Sequence, residues 1–270
     1  MKKVLSVILV CVSVFAMAQE PLDGAYVKTV SPEKKPIEYD FIREADVFWQ
    51  KRIWREIDVN QKMNLPFKYP QEPLISIIHD LAKSGELTVY DPVVLDADQF
   101  KAVMPVASVK RIGESEDTTT QINAVTMEEE QVVVKNEFNP LDIVKYRVKE
   151  DWIFNENTSA MVCRILGIAP LKYSKTSDGT IVGVEPMYWV YYPDLRSVLA
   201  NKEVFNPKND AVRLSWEDVF EARMFESYIT KESNVLDRNI KEYAPGVDGL
   251  LESDRVKQTM FEFEHDLWTY

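Results

Sequence analysis

Cysteine is nearly absent from this chain of 270 residues: Cys11 and Cys163 are the two it has. Histidine is equally scarce, with His79 and His265, and glycine is held to eight. Each shortage excludes something. Cys11 sits in an apolar leader, so once that leader is removed Cys163 is alone. No internal disulfide is then available, and the fold must rest on its core even in an oxidising compartment. Any histidine-based triad would have to use His79 or His265. The few glycines argue against repeats built on tight turns. There is no Gly-rich phosphate loop, no Gly-x-Ser-x-Gly elbow and no His-Glu-x-x-His zinc helix. Beyond the leader no stretch approaches about 18 uninterrupted apolar residues, so no spanning helix is expected.

What is present begins with three zones. Met1-Lys2-Lys3 is a short basic start, residues 4–15 are apolar, and Ala16-Met17-Ala18 puts small residues where a signal peptidase reads. The layout predicts a signal peptide over 1–18, cleaved between Ala18 and Gln19. About a dozen apolar residues are too few to cross a roughly 30 Å hydrocarbon layer. Val10 precedes Cys11 where a lipoprotein would carry a small residue, so lipidation is rejected. The formal charge is −12 and falls to about −14 without Lys2 and Lys3. Such a surface repels phosphate backbones and anionic membranes, so nucleic acid is not an expected partner.

The body of the chain reads as an α+β fold of mixed strands and helices, aromatic-rich. Residues 19–40 form an extended arm, with Pro21, Pro32 and Pro36 each removing a donor. A first α+β part is expected over 41–112. In 46–59, Ile53, Ile57 and Val59 alternate with Arg52, Trp54, Glu56 and Asp58, which favours a strand, a helix being the alternative. Pro73 opens a helix carrying Leu74, Ile77, Ile78 and Leu81, and Gly85 stops it. A short strand follows at 87–90, and Asp96 caps a helix carrying Phe100 and Val103. Residues 113–131, with Glu114, Glu116 and the acidic run 128–130, read as a long acidic exposed loop that divides the chain.

The second α+β part, 132–270, is denser in strands. Residues 146–154 and 160–168 suit a hairpin across 155–157. Residues 187–192 read as an aromatic strand stopped by Pro193. Ser215 and Asp218 match a capping box ahead of Val219, Phe220 and Phe225. The segment 250–268 reads as a helix with Leu251, Val256, Met260, Phe263 and Leu267 on one apolar face.

The residues offer little catalysis. His79 lies beside the apolar face of the 73–85 helix, which suits packing or surface. His265 shares a helix face with Glu262 and Asp266, but a metal normally needs three or four converging ligands. Ser31-Pro-Glu-Lys34 has the Ser-x-x-Lys spacing without the buried helix that chemistry needs. Cys163, among Val162, Ile165 and Leu166, reads as a buried inert thiol. Carboxylates are abundant, but none is singled out as a pair for glycoside hydrolysis. Neither cofactor nor metal is expected. Thr118 in the exposed stretch is a candidate for an O-linked sugar.

Several segments carry a resemblance. Arg43-Glu-Ala-Asp46 leads into Trp49-Gln-Lys-Arg-Ile-Trp-Arg-Glu-Ile-Asp58, and Glu150-Asp-Trp152 comes later. Met187-Tyr-Trp-Val-Tyr-Tyr-Pro193, Lys231-Glu-Ser-Asn234 and Glu262-Phe-Glu-His-Asp-Leu-Trp268 follow in order. Together they resemble the gliding motility GldN family, called PorN in non-gliding relatives, from about residue 23 to 270, with 113–131 matching least. The resemblance implies a non-enzymatic periplasmic structural subunit of the type IX secretion and gliding machinery. It implies a ring with a GldK/PorK-like lipoprotein at the outer membrane, and contact with a GldM/PorM-like inner-membrane component. Trp49, Trp54 and Trp268 are its candidate subunit contacts, with core packing as the competing role. The alternative reading is a periplasmic binder of peptidoglycan or another polysaccharide, for which the aromatics would supply stacking surfaces.

Overall fold

The computed structural model describes residues 34–267, except 94–96, 113–114, 123–128, 137 and 176–179. The proposed signal with Ala18 and Gln19, the arm up to Glu33 with Ser31, and Trp268 lie outside the described residues. From Lys34 onward the chain forms one compact unit.

The strands, in chain order, are β1 (Val47–Asp58), β2 (Val89–Tyr90), β3 (Ser115–Ile122) and β4 (Glu129–Asn136). They continue with β5 (Ile143–Asn155), β6 (Ala160–Lys175), β7 (Ile181–Pro186) and β8 (Trp189–Tyr191). Last come β9 (Glu203–Val204), β10 (Leu214–Ser215) and β11 (Tyr228–Glu232). Seven of them make one antiparallel sheet in the order β11-β1-β5-β6-β8-β2, with β7 also on β6. The alternation in 46–59 is therefore a strand, and the expected hairpin is β5–β6, with Asn155 opposite Ala160. Strand β1, from before the acidic stretch, lies between β5 and β11, both from after it. The sheet unites the two parts.

The helices are α1 (Leu74–Ser84), α2 (Val106–Arg111), α3 (Tyr192–Leu199), α4 (Trp216–Glu221), α5 (Ile240–Tyr243) and α6 (Val247–Leu267). Helix α1 ends where expected: Gly85 takes φ 83°, a left-handed conformation that a side chain would strain. The Ser215 capping box is formed, its hydroxyl accepting from Asp218 N while the Asp218 carboxylate accepts from Ser215 N at 3.0 Å. The main core joins Ile57, Tyr146, Val148 and Ile168 of the sheet to Leu74 and Ile78 of α1, Leu195 of α3 and Phe220 of α4. A second cluster packs Ile53 and Ile229 under Val256 and Met260 of α6. A third, on the other face, gathers Trp54, Ala169 and Trp189. Helix α6 also closes one sheet edge, because the Ser253 hydroxyl accepts from Ile229 N at 2.7 Å.

Four expectations need correction. The described parts of the acidic stretch are strand rather than loop: β3 and β4 pair in register, Thr118 opposite Val133 and Thr119 opposite Val132. The runs of threonine and valine, both β-branched, outweigh the acidic flanks. The helix expected after Asp96 is a single 3-10 turn, Ala97–Gln99, ended by Phe100 at φ 56°. Pro193 does not stop the aromatic strand so much as start α3, since its missing N–H costs nothing in a first helical turn. On α6, Leu251 faces solvent, and the buried side is Ser253, Val256 and Met260.

Candidate interaction surface

Strand alternation puts Ile53, Arg55 and Ile57 on one face of β1, opposite Glu150, Val148 and Tyr146 of β5. At this place two registers slip by one residue, β1 against β11 between Trp54 and Arg55, and β5 against β6 between Lys149 and Glu150. Such bulges re-aim side chains. Glu150 is fully buried, and its Oε2 accepts from Arg55 Nε at 3.1 Å and from Trp152 Nε1 at 3.0 Å. Arg223, held at φ 54° just after α4, brings Nη1 within 3.0 Å of Glu150 Oε1. The same guanidinium nitrogen donates to Cys163 Sγ at 3.2 Å. Both guanidiniums lie over the Trp152 ring, at 5.9 and 5.3 Å.

Two cations thus share one carboxylate. Burial, and then the Arg223 charge, hold the Arg55 guanidinium below its ordinary value against the pull of Glu150. Burial also works against the Arg223 charge, but Glu150 more than offsets it. Burial and the Glu150 charge push the Cys163 thiol well up, with Arg223 and Arg55 opposing. A thiol kept protonated is neither a good nucleophile nor a metal ligand. Its neighbours correct the expected apolar setting: they are Arg223 and the Arg55–Glu150 pair, and the side chain is half-buried.

This cluster floors a groove of about 530 Å³ between the sheet and α6. Met63, Met161, Trp152, Phe225 and Phe261 form its walls. Asp254, Lys257 and Glu264 of α6 stand along it with Glu226. Met63 is 52% exposed and Phe261 61%, so both offer apolar surface to solvent. Methionine and aromatic walls with a charged floor suit recognition of a protein segment.

The opposite face of β1 is a ladder of paired charges. Arg52 donates to both Asp151 oxygens at 2.7 and 2.8 Å. Lys149 reaches Asp98 Oδ2 at 3.2 Å, and Trp54 Nε1 donates to the same atom at 3.0 Å. Glu56 takes Arg147 at 2.7 Å, Tyr228 at 2.7 Å and Lys145 at 3.2 Å. Burial alone would raise its carboxyl, but Arg147 leads these partners in holding it down to about 2. A further clasp holds the end of the arm. Tyr39 lies between the Arg164 and Arg196 guanidiniums at 4.0 and 3.8 Å and bonds Glu221, while Arg196 also pairs with Glu217 at 2.7 Å.

The residues singled out in the sequence are scattered over the fold. Trp49 is half-buried, stacked on Phe263 of α6 with centroids 4.9 Å apart. Trp54 is buried in the third cluster, with Lys231 over its ring at 4.7 Å. His79 is buried between Tyr188 and Phe138, where burial first and Lys83 second lower its pKa to about 4. His265 is on the exposed side of α6, beside Phe261. Glu262 there accepts from Gln258 at 3.0 Å. Lys34 pairs with Asp218, and Ser31 lies outside the described residues. Thr118 lies in β3. Among the described residues no group of three or more His, Cys, Asp or Glu side chains is arranged to hold a metal ion. Sequence reasoning missed the Arg55–Glu150–Arg223 cluster. Its one signal was charge in mid-strand on two neighbouring strands, the pair Arg55-Glu56 in β1 and the run Lys149-Glu150-Asp151 in β5.

A family model described as gliding motility associated protein GldN matches residues 42–269. The chain belongs to the GldN family. It is thereby a component of the gliding motility and type IX secretion machinery, a family of structural parts rather than a known enzyme family. No curated protein matches the chain. Three of the segments that carry the GldN resemblance are sheet neighbours. Lys51 is opposite Trp152, Ile53 is opposite Glu150 and Glu232, and Ser233 N donates to Arg52 O at 2.9 Å. A fourth, on α6, stacks over Trp49 through Phe263. The GldN pattern thus gathers at the sheet region that floors the groove and carries the ladder.

Proposed function

We propose that this GldN-family chain is a non-enzymatic structural subunit of the periplasm. It enters by a signal cleaved between Ala18 and Gln19, and it assembles in a ring with a GldK/PorK-like outer-membrane lipoprotein. It also contacts a GldM/PorM-like inner-membrane component. The observation that carries this reading is the family match over residues 42–269. No helix among the described residues is long and apolar enough to cross a membrane, which suits attachment through a lipidated partner. The polar chemistry of the groove floor agrees with it: Arg55 and Arg223 are both tied to the buried Glu150 carboxylate. Trp49, Trp54 and Trp268 belong to the same proposal as contributors to subunit contacts.

The test is a mild-detergent pull-down of the tagged chain from its native envelope, followed by sizing and mass spectrometry. A very large particle holding a lipoprotein and an inner-membrane protein is the expected result. A lone monomer that is retained on peptidoglycan would replace this reading with the polysaccharide binder.

A further inference from the structure

Residues 34–42 lie against the body of the fold as a strap that belongs to no strand or helix. The grip on them comes from side chains. Lys34 N donates to Asn201 Oδ1 at 3.0 Å, and Lys34 Nζ pairs with Asp218. Ile37 O accepts from Arg196 Nη2 at 2.8 Å, and the Tyr39 hydroxyl donates to Glu221. The Tyr39 ring fills the gap between the Arg164 and Arg196 guanidiniums. Every third residue, Pro36, Tyr39 and Ile42, is half-buried, whereas Ile37 is 79% exposed and Phe41 88%. A period of three is that of a polyproline II segment, which proteins bind through side-chain pockets without a strand ladder.

The slot beneath is assembled by the body alone. Arg164 comes from β6, Arg196 from α3, and Glu217, Asp218 and Glu221 from α4. Arg196 is buried and fixed by Glu217 at 2.7 Å, a pairing that does not need the strap. Its Nε is buried as well and makes no hydrogen bond among the described residues, with Glu221 Oε1 3.5 Å away. A cleft of about 290 Å³ remains between the strap and these side chains. The strap therefore underfills its seat, unlike the close packing of an interior. Its Lys34–Asp218 pair is exposed, at 42% and 34%, and such pairs hold weakly.

We propose that this slot is a peptide-recognition site, filled in the free chain by the chain's own residues 36–42. Its ligand class is an extended segment whose tyrosine enters between Arg164 and Arg196 and sets its hydroxyl on Glu221. The strap is then an internal ligand, and its release frees residues 34–42, about 30 Å of chain when extended. The slot thereby sets how far the segment ahead of β1 can reach.

A fluorescent peptide with the sequence of residues 35–42 is the probe, added to the full chain and followed by anisotropy. A tethered ligand acts at an effective concentration of about a millimolar, so the wild-type slot should resist the peptide. Tyr39→Ala loosens the strap and should bind the peptide about tenfold more tightly than wild type, with an unchanged melting temperature. Arg164→Gln in that background should weaken the peptide about tenfold again. A peptide with alanine in place of its tyrosine should not compete. If the alanine variant melts early, Tyr39→Leu, which keeps bulk between the guanidiniums, takes its place. Equal binding to wild type and variant would put the peptide elsewhere on the surface and overturn the proposal. No binding to the variant would make the strap a fixed part of the fold, and would overturn it too.

Discussion

Glu150 is the residue on which the groove depends. It is fully buried and holds two arginines, so its loss is not the loss of one hydrogen bond. Glu150→Gln keeps the volume but leaves Arg55 and Arg223 facing each other without a countercharge. Breaking a buried pair in this way costs about 3–5 kcal/mol, and urea unfolding followed by tryptophan fluorescence would measure it. A loss below about 1 kcal/mol would show that water, not Glu150, balances the pair. His79 makes the second residue-scale prediction. Its pKa is about 4 in the fold against an ordinary 6.5, so the unfolded chain binds the extra proton between these values. The stability this contributes is complete above pH 6.5 and is lost as pH falls toward 4, to a total of about 3 kcal/mol. His79→Phe keeps an aromatic ring against Tyr188 and removes the titration, so its stability should be flatter across that window in pH-resolved urea melts. His79 was legible as a packing or surface residue from its helical position, and the fold buries it. The Glu150 cluster was not, because its three members are far apart in sequence, and only the β1–β5 register together with the turn after α4 brings them together.

Among the elements, those with strong period and clear punctuation were legible: β1, the β5–β6 hairpin, α1 with its Gly85 stop, and α6. Those misread turned on one residue with two meanings. Pro193 ends a strand and begins a helix with the same missing N–H, and the aromatic run before it hid the second role. Phe100 suited a helix by spacing, yet its ring is drawn to the sheet by tertiary contacts that no local pattern shows. It packs edge-on to Tyr90 at 5.4 Å and to Tyr191 at 5.4 Å, with Lys149 over its face at 5.4 Å. That arrangement needs Gly167 in β6. A Cβ there would lie 2.4 Å from Phe100 Cζ and 3.2 Å from Val190 O. Gly167→Ala must displace the ring, at a cost of about 1–3 kcal/mol. Pairing it with Phe100→Leu should recover part of that loss, and thermal melts of the single and double variants would show it. Full additivity of the two losses would mean that the ring is not what the methyl group meets.

At the scale of the whole molecule, charge pattern suggested two parts where the strand ladder makes one. β1 is bonded on both sides by strands from beyond the acidic stretch, so neither part can keep its sheet without the other. The acidic hairpin, in contrast, is a two-stranded sheet whose ladder joins only β3 to β4. It enters after α2, whose Val109 is in the main core, and returns through the 3-10 turn Pro140–Asp142 just before β5. Seen this way it is an insertion between two anchored elements. Long surface insertions carry little closure cost, since each doubling of loop length adds only about 0.6 kcal/mol. Replacing residues 115–136 with a short Gly-Ser linker should therefore leave the fold intact and shift the melting temperature by a few degrees at most. Unfolding should remain one cooperative step, with far-UV circular dichroism and tryptophan fluorescence tracing the same curve. Separate transitions in the intact chain would mean that β1 does not bind the parts into one unit. A linker variant that fails to fold would mean that the hairpin carries contacts beyond its own ladder.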